Sequence, residues 1–437
     1  MGRPSRAAFR GCMHVSTTSD PIAQNYDAVA YAALPHPVTH PDHLAAVVTM
    51  FGLDAPAVGQ ARVLEVGCND GANLLPMAAR MPDARFTGCD IAPLAIGSAR
   101  EGASALGLRN VEFVHADLAT IEGGPYDYVI AHGVYSWVPV AVREALFALA
   151  ARVLSPHGIL FTSYNTYPGG HVRRAAWEAL RWHTKALPDR GARISAAREL
   201  AALLGEPGPA HETGDAAVRA EFLRIAGEPD SALFHDTLAE PNDPVWFHEF
   251  VEHAGRHRLT YVAEALPSMM AGGGLSPRVR AFLATQDRLA REQYLDFARV
   301  RRFRQSLLCR REASGDFQLS SPRLAGLWAS ASLQLGRAAS EGRLPSTPGH
   351  EGGILQSLLE TLVQRAPACV SVPELIATVP ASARTGGARP VEAIVLDAWI
   401  SGFVQLHAFP PQPATRAAAR PRAFCVAQWK RPAAAMR

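Results

Sequence analysis

Short apolar runs alternate with longer stretches of helical periodicity along the first third of the chain. Five of these runs have the length and the bounding polar residues of buried strands, namely residues 63–66, 85–89, 111–115, 126–132 and 158–164. Helical patterns lie between them, around residues 91–110 and 142–154. Strands that alternate with helices in this way are typical of βα units. The pattern therefore predicts an α/β fold built on a mainly parallel sheet.

The next part of the chain changes its pattern and then returns to strands. Residues 171–257 are helical in periodicity, whereas residues 259–265 and 302–309 are apolar runs of strand length with a helix around 287–300 between them. We read these two runs as the sixth and seventh strands of the same sheet. The helical residues 171–257 are then an insertion within the domain, which spans residues 22–312.

The two ends of the chain predict less. Residues 1–21 are basic and lack an apolar core segment, so we expect a disordered leader. Residues 313–350 are rich in Ser, Gly and Pro and predict a linker with weak strands. Residues 351–437 form a small C-terminal α/β module, whose helix–helix–strand order loosely resembles a winged helix. The last of these helices has no basic face, so we do not expect nucleic acid to be a partner.

The stretch ARVLEVGCNDGANLLP, residues 61–76, is a strand, a tight turn and the start of a helix. In an open α/β sheet, a nucleotide-like ligand sits beyond such a strand, against the helix N-terminus. A dinucleotide site requires G-x-G-x-x-G, but Asn69 replaces the middle glycine and Ala72 the last. S-adenosylmethionine has no pyrophosphate and requires fewer glycines, and asparagine tolerates a positive φ. The turn therefore favours S-adenosylmethionine.

Three acidic residues lie at the ends of the first three strands. Glu65 suits a ligand that carries an ammonium group, Asp90 can accept from two ribose hydroxyls, and Asp117 can accept from an adenine amino group. Each alone is more simply a helix cap or a turn residue. Together, at βα spacing, they indicate an adenosine-containing cofactor.

Composition bounds the remaining possibilities. A chain of 437 residues is too long for one ordinary core, so two or three units are expected. The net charge of +3 gives no reason to expect nucleic acid or a membrane surface as a partner. No apolar run approaches the ~20 residues that span a bilayer. The six cysteines lack C-x-x-C pairs, so we expect free thiols and a cytoplasmic location.

Several long phrases occur in a recognisable order. These are YDAVAYAALPHPVTHPDHLA, RVLEVGCNDGANLLPMA, YDYVIAHGVYSWVP, SYNTYPGG and EQYLDFARVRRFRQSLLC. They resemble a subfamily of class I S-adenosylmethionine-dependent methyltransferases that carries a methyltransferase regulatory domain and includes rickettsial protein lysine methyltransferases. The resemblance covers residues 22–312 well and residues 350–410 only loosely.

The resemblance implies a Rossmann-like seven-stranded sheet, S-adenosylmethionine as cofactor, and a regulatory segment at residues 215–302. It also implies a homodimer, and it implies that the family continues past the equivalent of Pro421, so that the C-terminal module here would be truncated. Asn69, where the family has glycine, is a second departure. The expected cofactor-binding residues are Glu65, Gly67, Cys68, Asn69, Gly71, Asp90, Ile91, Asp117, Leu118, His132 and Gly133.

The acceptor is the least determined part. A protein lysine side chain is the first hypothesis, a small molecule is the second, and a non-catalytic binding module with this fold is the third. Aromatic faces can hold an amine by cation–π attraction. The expected acceptor-positioning residues are Tyr31, Tyr135, Trp137 and Tyr164.

A metal ion is not expected from the sequence. His253 and His257 are four residues apart and share one face of a predicted helix. No Glu follows His253 in an H-E-x-x-H order, and catalytic zinc normally requires three protein ligands, so we expect a solvated helix face.

Overall fold

The computed structural model describes residues 34–206, 215–313, 315–345, 349–385 and 389–411. The expected leader, residues 1–21, lies outside these ranges. Among the described helices, none combines the length and the apolarity required to cross a lipid bilayer.

Seven strands form the main sheet, in the order β3-β2-β1-β4-β5-β7-β6. Their bounds are β1 Arg62–Val66, β2 Arg85–Asp90, β3 Val111–His115, β4 Tyr126–Ala131, β5 Leu154–Asn165, β6 Leu259–Glu264 and β7 Phe303–Arg310. The pairs from β3 through β5 are parallel, and β7 runs antiparallel between β5 and β6. The order reverses between β1 and β4, which opens a crevice beyond the ends of these two strands. The predicted Rossmann-like, seven-stranded fold is confirmed.

Helices cover both faces of this sheet and continue through its long connections. Those in the first part of the chain are α1 Pro41–Met50, α2 Leu74–Arg80, α3 Pro93–Ala105, α4 Val140–Val153, α5 Gly169–Thr184, α6 Arg190–Gly205 and α7 Asp215–Ala226. After a helical turn at Asp230–Ala232 and a π-helical turn at Leu233–Leu238 come α8 Phe247–Arg256, α9 Pro277–Ala284 and α10 Arg288–Arg299. The chain between β5 and β6 is therefore helical.

Successive side chains of each strand point to opposite faces of the sheet, so the core has one layer on each face. Val63 and Phe86 face one side, where they pack with α1 and α2, and Leu64 and Val129 face the other, where they pack with α4. Helices α5, α6 and α7 have an apolar core of their own around Leu180.

A buried charge cluster fixes α10 to the sheet edge. Arg304 on β7 is fully buried, and its guanidinium nitrogens lie 2.6 Å from Glu264 Oε1, 2.8 Å from Asp296 Oδ1 and 3.2 Å from Glu292 Oε2. Arg301 Nε lies 3.1 Å from Asp296 Oδ1. Burial raises the pKa of Glu292 to about 7. The cluster joins α10 to the carboxyl end of β6.

A three-stranded antiparallel sheet, in the order β10-β8-β9, forms a second unit. Its elements are β8 Trp328–Ala331, α11 Leu333–Ser340, α12 His350–Arg365, β9 Val370–Ser371, α13 Val372–Ala377, α14 Ala381–Thr385, α15 Val391–Ile400 and β10 Val404–His407. The central strand β8 lies inside residues 313–350, where a linker with weak strands was expected, and α11 is a helix that this expectation did not include. Leu327, Ala329 and Leu335 are buried there, and the residues between them are mostly small or polar, among them Ser330, Ser332 and Gln334.

This second unit packs on the N-terminal helix of the first. Asp42 on α1 accepts hydrogen bonds through Oδ2 from His407 Nδ1 at 2.7 Å and through Oδ1 from the Phe409 N–H at 2.7 Å. The apolar residues of α1 and of α12, α13 and α15 belong to one continuous core. The two units therefore share a core as well as a polar contact.

Candidate cofactor and acceptor site

The turn after β1 has the backbone geometry that its sequence predicts. Gly67, Asn69 and Gly71 have φ of 72°, 48° and 76°. A Cβ on Gly71 would lie 2.6 Å from Phe113 Cζ, and one on Gly67 would lie 2.9 Å from Val134 Cγ2. Glycine is therefore required at both positions for space as well as for φ. Asn69 adopts the left-handed conformation that asparagine accepts most readily among residues with a side chain.

Asp90 holds this turn in place from the end of β2. Its Oδ2 accepts from the Asn69 N–H at 2.9 Å, and its Oδ1 accepts from the Ala92 N–H at 2.9 Å. Burial raises the pKa of Asp90, while these hydrogen bonds oppose the rise. Each carboxylate oxygen retains a second lone pair, so Asp90 can still accept from a ligand's hydroxyls.

Glu65 at the end of β1 has one oxygen without a partner. Its Oε1 accepts from Asn73 Nδ2 at 2.7 Å, whereas its buried Oε2 has no hydrogen bond. Burial raises the pKa of Glu65 to about 8, so the carboxyl holds a proton at neutral pH without a cation beside it. The ammonium group of S-adenosylmethionine would supply both the missing partner and the missing charge. This unsatisfied oxygen is the observation that fits the residues to that cofactor.

Asn73 is a site residue that the sequence reasoning missed. Besides Glu65, its Nδ2 donates to Thr39 Oγ1 at 3.0 Å, and its Oδ1 accepts from the His36 N–H at 2.8 Å. The amide thereby ties the segment before the first strand to the cofactor turn. Asn73 directly precedes α2, where asparagine is a common helix cap, so the sequence carried no sign of this role.

His132 and Gly133 follow β4 and form one wall of the crevice. The His132 ring stacks on His36, with centroids 3.9 Å apart, and on Phe161 at 5.9 Å. Burial, with a smaller effect of His36, lowers the pKa of His132 to about 3, so the ring is neutral. The Gly133 N–H donates to Ser163 Oγ at 2.9 Å. His36, from the segment before the first strand, thus lies against the end of β4.

The remaining predicted cofactor residues lie further along the same edge. Asp117 is exposed, and its Oδ1 accepts from the Ala119 N–H at 2.9 Å, which caps the turn Leu118–Thr120. Leu118 is buried, and the Ile91 carbonyl lies 3.1 Å from His115 Nε2. Cys68 is buried, and burial raises the pKa of its thiol well above the usual value, so it packs as a neutral group.

Two of the residues expected to position the acceptor are core residues instead. Tyr164 is fully buried, stacks on Phe250 with centroids 3.9 Å apart and shares a hydrogen bond with Ser306 Oγ at 3.1 Å. Tyr135 is 2% exposed, and its Oη lies 2.8 Å from His253 Nδ1. Neither ring has a face left for a substrate, so the burial of both argues against the predicted acceptor role.

The other two residues expected to position the acceptor are Trp137 and Tyr31. Trp137 is partly exposed in the 3₁₀ turn Tyr135–Trp137 after β4, and its indole N–H has no hydrogen-bond partner. It therefore remains a candidate for contact with an acceptor. Tyr31 lies outside the described residues.

A recess of about 370 Å³ opens at the same edge of the sheet, beside the ends of β5 and β6. Leu266 and Val300 line it and are 41% and 54% exposed, so the recess is open to solvent. The Gly169 N–H donates to the Arg301 carbonyl at 2.9 Å, which joins the recess wall to the residues just after β5. The site thus offers a tight turn for a cofactor and an open recess along the same edge.

Comparison with known families agrees with this geometry. Residues 63–158 match a methyltransferase domain, and residues 229–310 match a predicted methyltransferase regulatory domain. The chain therefore carries a class I S-adenosylmethionine-dependent methyltransferase domain followed by a methyltransferase regulatory domain. The predicted resemblance to rickettsial class I S-adenosylmethionine-dependent methyltransferases is confirmed.

Two relatives come from Rickettsia prowazekii (strain Madrid E), and both are uncharacterized proteins. One is 39% identical over 288 residues, which cover 65% of this chain and 52% of that protein. The other is 29% identical over 233 residues, which cover 53% of this chain and 93% of that protein. The chain thus spans about half the length of the first relative.

Among solved structures, PKMT2 from Rickettsia typhi shares the fold. Its structure has a TM-score of 0.75 and 23% identity, and the match covers 89% of this chain and 79% of that one. A structure of PKMT2 in complex with AdoHcy matches with a TM-score of 0.75 and 24% identity, over 87% of this chain and 78% of that one. The likeness extends beyond the methyltransferase domain, since it covers most of both chains.

Proposed function

We propose that this protein transfers a methyl group from S-adenosylmethionine to a lysine side chain of a protein. The unpartnered Glu65 Oε2 in the crevice between β1 and β4 carries the cofactor part of the proposal. When bound, S-adenosylmethionine supplies a methyl group activated by its sulfonium centre. Glu65 would hold the amino group, and Asp90 would hold the ribose hydroxyls.

The residues around the crevice suit a cationic donor and an amine acceptor. The stacked His36 and His132 are both kept neutral because burial lowers their pKa values. They therefore shield the crevice from water without adding a positive charge next to a sulfonium or an ammonium. A lysine must lose a proton before it attacks, and withdrawal from water in a buried crevice lowers the pKa of its ammonium group.

The open recess supports a protein rather than a small molecule as the acceptor. Small-molecule sites usually enclose most of their ligand. Here Leu266 and Val300 leave the recess wall accessible at the edge where β5 ends. The resemblance to rickettsial protein lysine methyltransferases gives independent support for lysine.

Calorimetric titration of S-adenosylmethionine into the purified chain tests the cofactor site, with Asp90→Ala and Asp90→Asn alongside. We expect binding by the wild type and a loss of at least tenfold in affinity in both variants. Asparagine at position 90 keeps one oxygen that can accept a hydrogen bond from the turn, whereas alanine keeps none. Comparison of the two variants therefore separates the loss of ligand contacts from collapse of the turn. Unchanged affinity in both variants would remove Asp90 from the site.

Transfer is tested with donor that carries a labelled methyl group. The expected product is label in lysine of lysate proteins, identified by mass spectrometry after digestion. Label in metabolites alone would favour a small-molecule acceptor. Binding without any label transfer would indicate a module that binds the cofactor but does not turn it over.

A further inference from the structure

Three side chains with metal-binding atoms meet between α4 and α8, away from the cofactor crevice. They are Glu144, His253 and His257, and their ligand atoms all lie within 4.8 Å of one another. His253 Nε2 lies 3.3 Å from Glu144 Oε1, and His257 Nε2 lies 2.7 Å from Glu144 Oε2. The two histidines follow each other by one helical turn, and Glu144 approaches them from the neighbouring helix.

His253 is held in the orientation that a metal ligand requires. Its ring is 6% exposed, and its Nδ1 lies 2.8 Å from Tyr135 Oη. Its Nε2 is buried, makes no hydrogen bond and points to the Glu144 carboxylate. Burial lowers the pKa of His253, which leaves a lone pair on the ring at neutral pH. In metal-binding histidines, the ring nitrogen that does not bind the metal usually makes a hydrogen bond, which fixes the ring orientation and the tautomer.

We propose that Glu144, His253 and His257 bind a divalent transition-metal ion of the zinc type, with a water molecule at the fourth position. Two imidazole nitrogens and one carboxylate oxygen are a common ligand set for zinc. Bonds of about 2.0–2.1 Å place tetrahedral ligands roughly 3.3 Å apart, as His253 Nε2 and Glu144 Oε1 already are. The 2.7 Å contact between His257 Nε2 and Glu144 Oε2 must lengthen, and the Glu144 side chain is 43% exposed and can adjust.

One neighbouring charge competes with the ion. Arg256 Nη2 lies 3.4 Å from Glu144 Oε1, and its side chain is 55% exposed. An exposed ion pair of this length contributes little, so Arg256 can swing away from the carboxylate when a metal ion binds.

The site would join the two matched segments of the chain. Glu144 lies within the methyltransferase domain at residues 63–158, and both histidines lie within the regulatory domain at 229–310. A metal ion on His253 Nε2 would leave the ring proton on Nδ1, where it donates to Tyr135. Tyr135 is the first residue of the turn that follows His132. A bound metal ion would therefore be connected to the wall of the cofactor crevice through the side chains of His253 and Tyr135.

The test is titration of the full chain, first treated with a chelator, with Co²⁺ as a spectroscopic probe and then with Zn²⁺. We expect one Co²⁺ per chain with the visible absorption bands of a tetrahedral site, which Zn²⁺ removes. His257→Ala and Glu144→Gln should each weaken Co²⁺ binding at least tenfold. His248→Ala is the matched control, because His248 lies on the same helix but bonds to Gln293 instead.

Thermal unfolding gives a second readout that does not depend on activity. Zn²⁺ should raise Tm in the wild type and in His248→Ala, and leave it unchanged in His257→Ala. His257 is partly exposed, so its truncation should not prevent folding. No stoichiometric Co²⁺ binding by the wild type would overturn the proposal, as would equal binding by wild type, His257→Ala and Glu144→Gln.

Discussion

The Glu65 carboxyl is buried with a partner for only one of its oxygens, and its protonation should therefore change when a ligand arrives. Without ligand its pKa is about 8 because of burial. An ammonium group beside Oε2 would favour the ionised form and lower that pKa. Cofactor binding and proton release at this residue should thus be coupled.

We predict that the affinity for S-adenosylmethionine rises with pH up to about pH 8 and falls above it, where the ligand's own α-amino group loses its proton. The rise should approach about tenfold per pH unit if one proton is released on binding. Calorimetry in two buffers of different ionisation enthalpy measures that proton directly. Glu65→Gln should bind more weakly and show a flat profile below about pH 8, and an equally steep rise in this variant would contradict the assignment.

Glu65 also makes the free energy of unfolding depend on pH. Between the unfolded pKa of about 4.3 and the folded value of about 8, the folded protein keeps a proton that the unfolded chain releases. Stability from this group therefore falls as pH rises through that window. Glu65→Gln should remove this part of the slope in denaturant titrations, while wild type and variant should be most alike at low pH.

At the residue scale, prediction from the sequence worked for the placement of residues that follow one strand, while their roles remain predictions. Glu65, Asp90 and Asp117 each follow an apolar run, and the structure places all three along the carboxyl edge of the sheet. It failed for Asn73, whose partners Thr39 and His36 are 34 and 37 residues away. For Tyr164, the sequence does not show which face of β5 meets a ligand, since β5 is buried on both faces.

At the scale of elements, the strand–turn–helix unit of β1 and α2 depends on glycine at the point where the turn meets β3. Gly71 combines a φ of 76° with a space that Phe113 closes to any side chain. In contrast, Gly97 lies within α3, and the position that a Cβ would occupy there has no neighbouring atom within 4 Å. Alanine substitutions at these two glycines therefore make a matched pair, one at a crowded turn position and one at an uncrowded helix position.

Gly71→Ala should destabilise the protein by about 1–3 kcal/mol, from the strained φ and the contact with Phe113. It should also weaken cofactor binding, because the turn itself must shift. Gly97→Ala should instead stabilise by about 0.5–1 kcal/mol, since alanine is the better helix former. Denaturant unfolding of both variants measures the difference, and the idea fails if Gly71→Ala is as stable as the wild type.

The Arg304 cluster is the second junction between elements, because it links β7 to α10 and β6. Arg304→Met would leave the carboxyl groups of Glu264, Glu292 and Asp296 without their main counter-charge. We expect a loss of about 3–5 kcal/mol in unfolding free energy. Arg302→Ala is the control: its side chain is 54% exposed, so its pair with Glu221 should contribute about 1 kcal/mol or less. Similar losses in the two variants would contradict this account.

Elements were predictable where periodicity was regular. All seven strands of the main sheet follow from apolar runs bounded by turn residues, and so do its helical connections. The strand β8 was expected only as an unplaced weak strand within residues 313–350, because it has only four residues, Trp328–Ala331. Its place as a central strand is set by pairing with β10 and β9, which lie far along the chain.

At the scale of the whole molecule, Asp42 carries the polar contact between the two units. Its carboxylate accepts from His407 and from the Phe409 N–H, and the α1 residues around it are buried against the C-terminal unit. Because the core is continuous, we expect both units to unfold together.

Asp42→Ala should lower the free energy of unfolding by about 1–3 kcal/mol, since it leaves the Phe409 N–H and the His407 ring without their acceptor. Asp54→Ala, at an exposed position shortly after the same helix, should stay within about 0.5 kcal/mol of the wild type. Fluorescence and circular dichroism should report one coincident transition in the wild type. Two separate transitions would show that the units are independent.

The contact between Asp42 and His407 also sets an order of events during synthesis. Its partners are 365 residues apart, and a ribosome that adds roughly 5–20 residues per second needs on the order of 20–70 s to cover that distance. Helix α1 therefore waits for the far strand β10 before its surroundings are complete. His36 and Thr39, which reach Asn73 beside the cofactor turn, directly precede that helix. The main sheet is complete with β7, so a nascent chain would have its sheet about 5–20 s before β10 completes the surroundings of the helix next to the cofactor crevice.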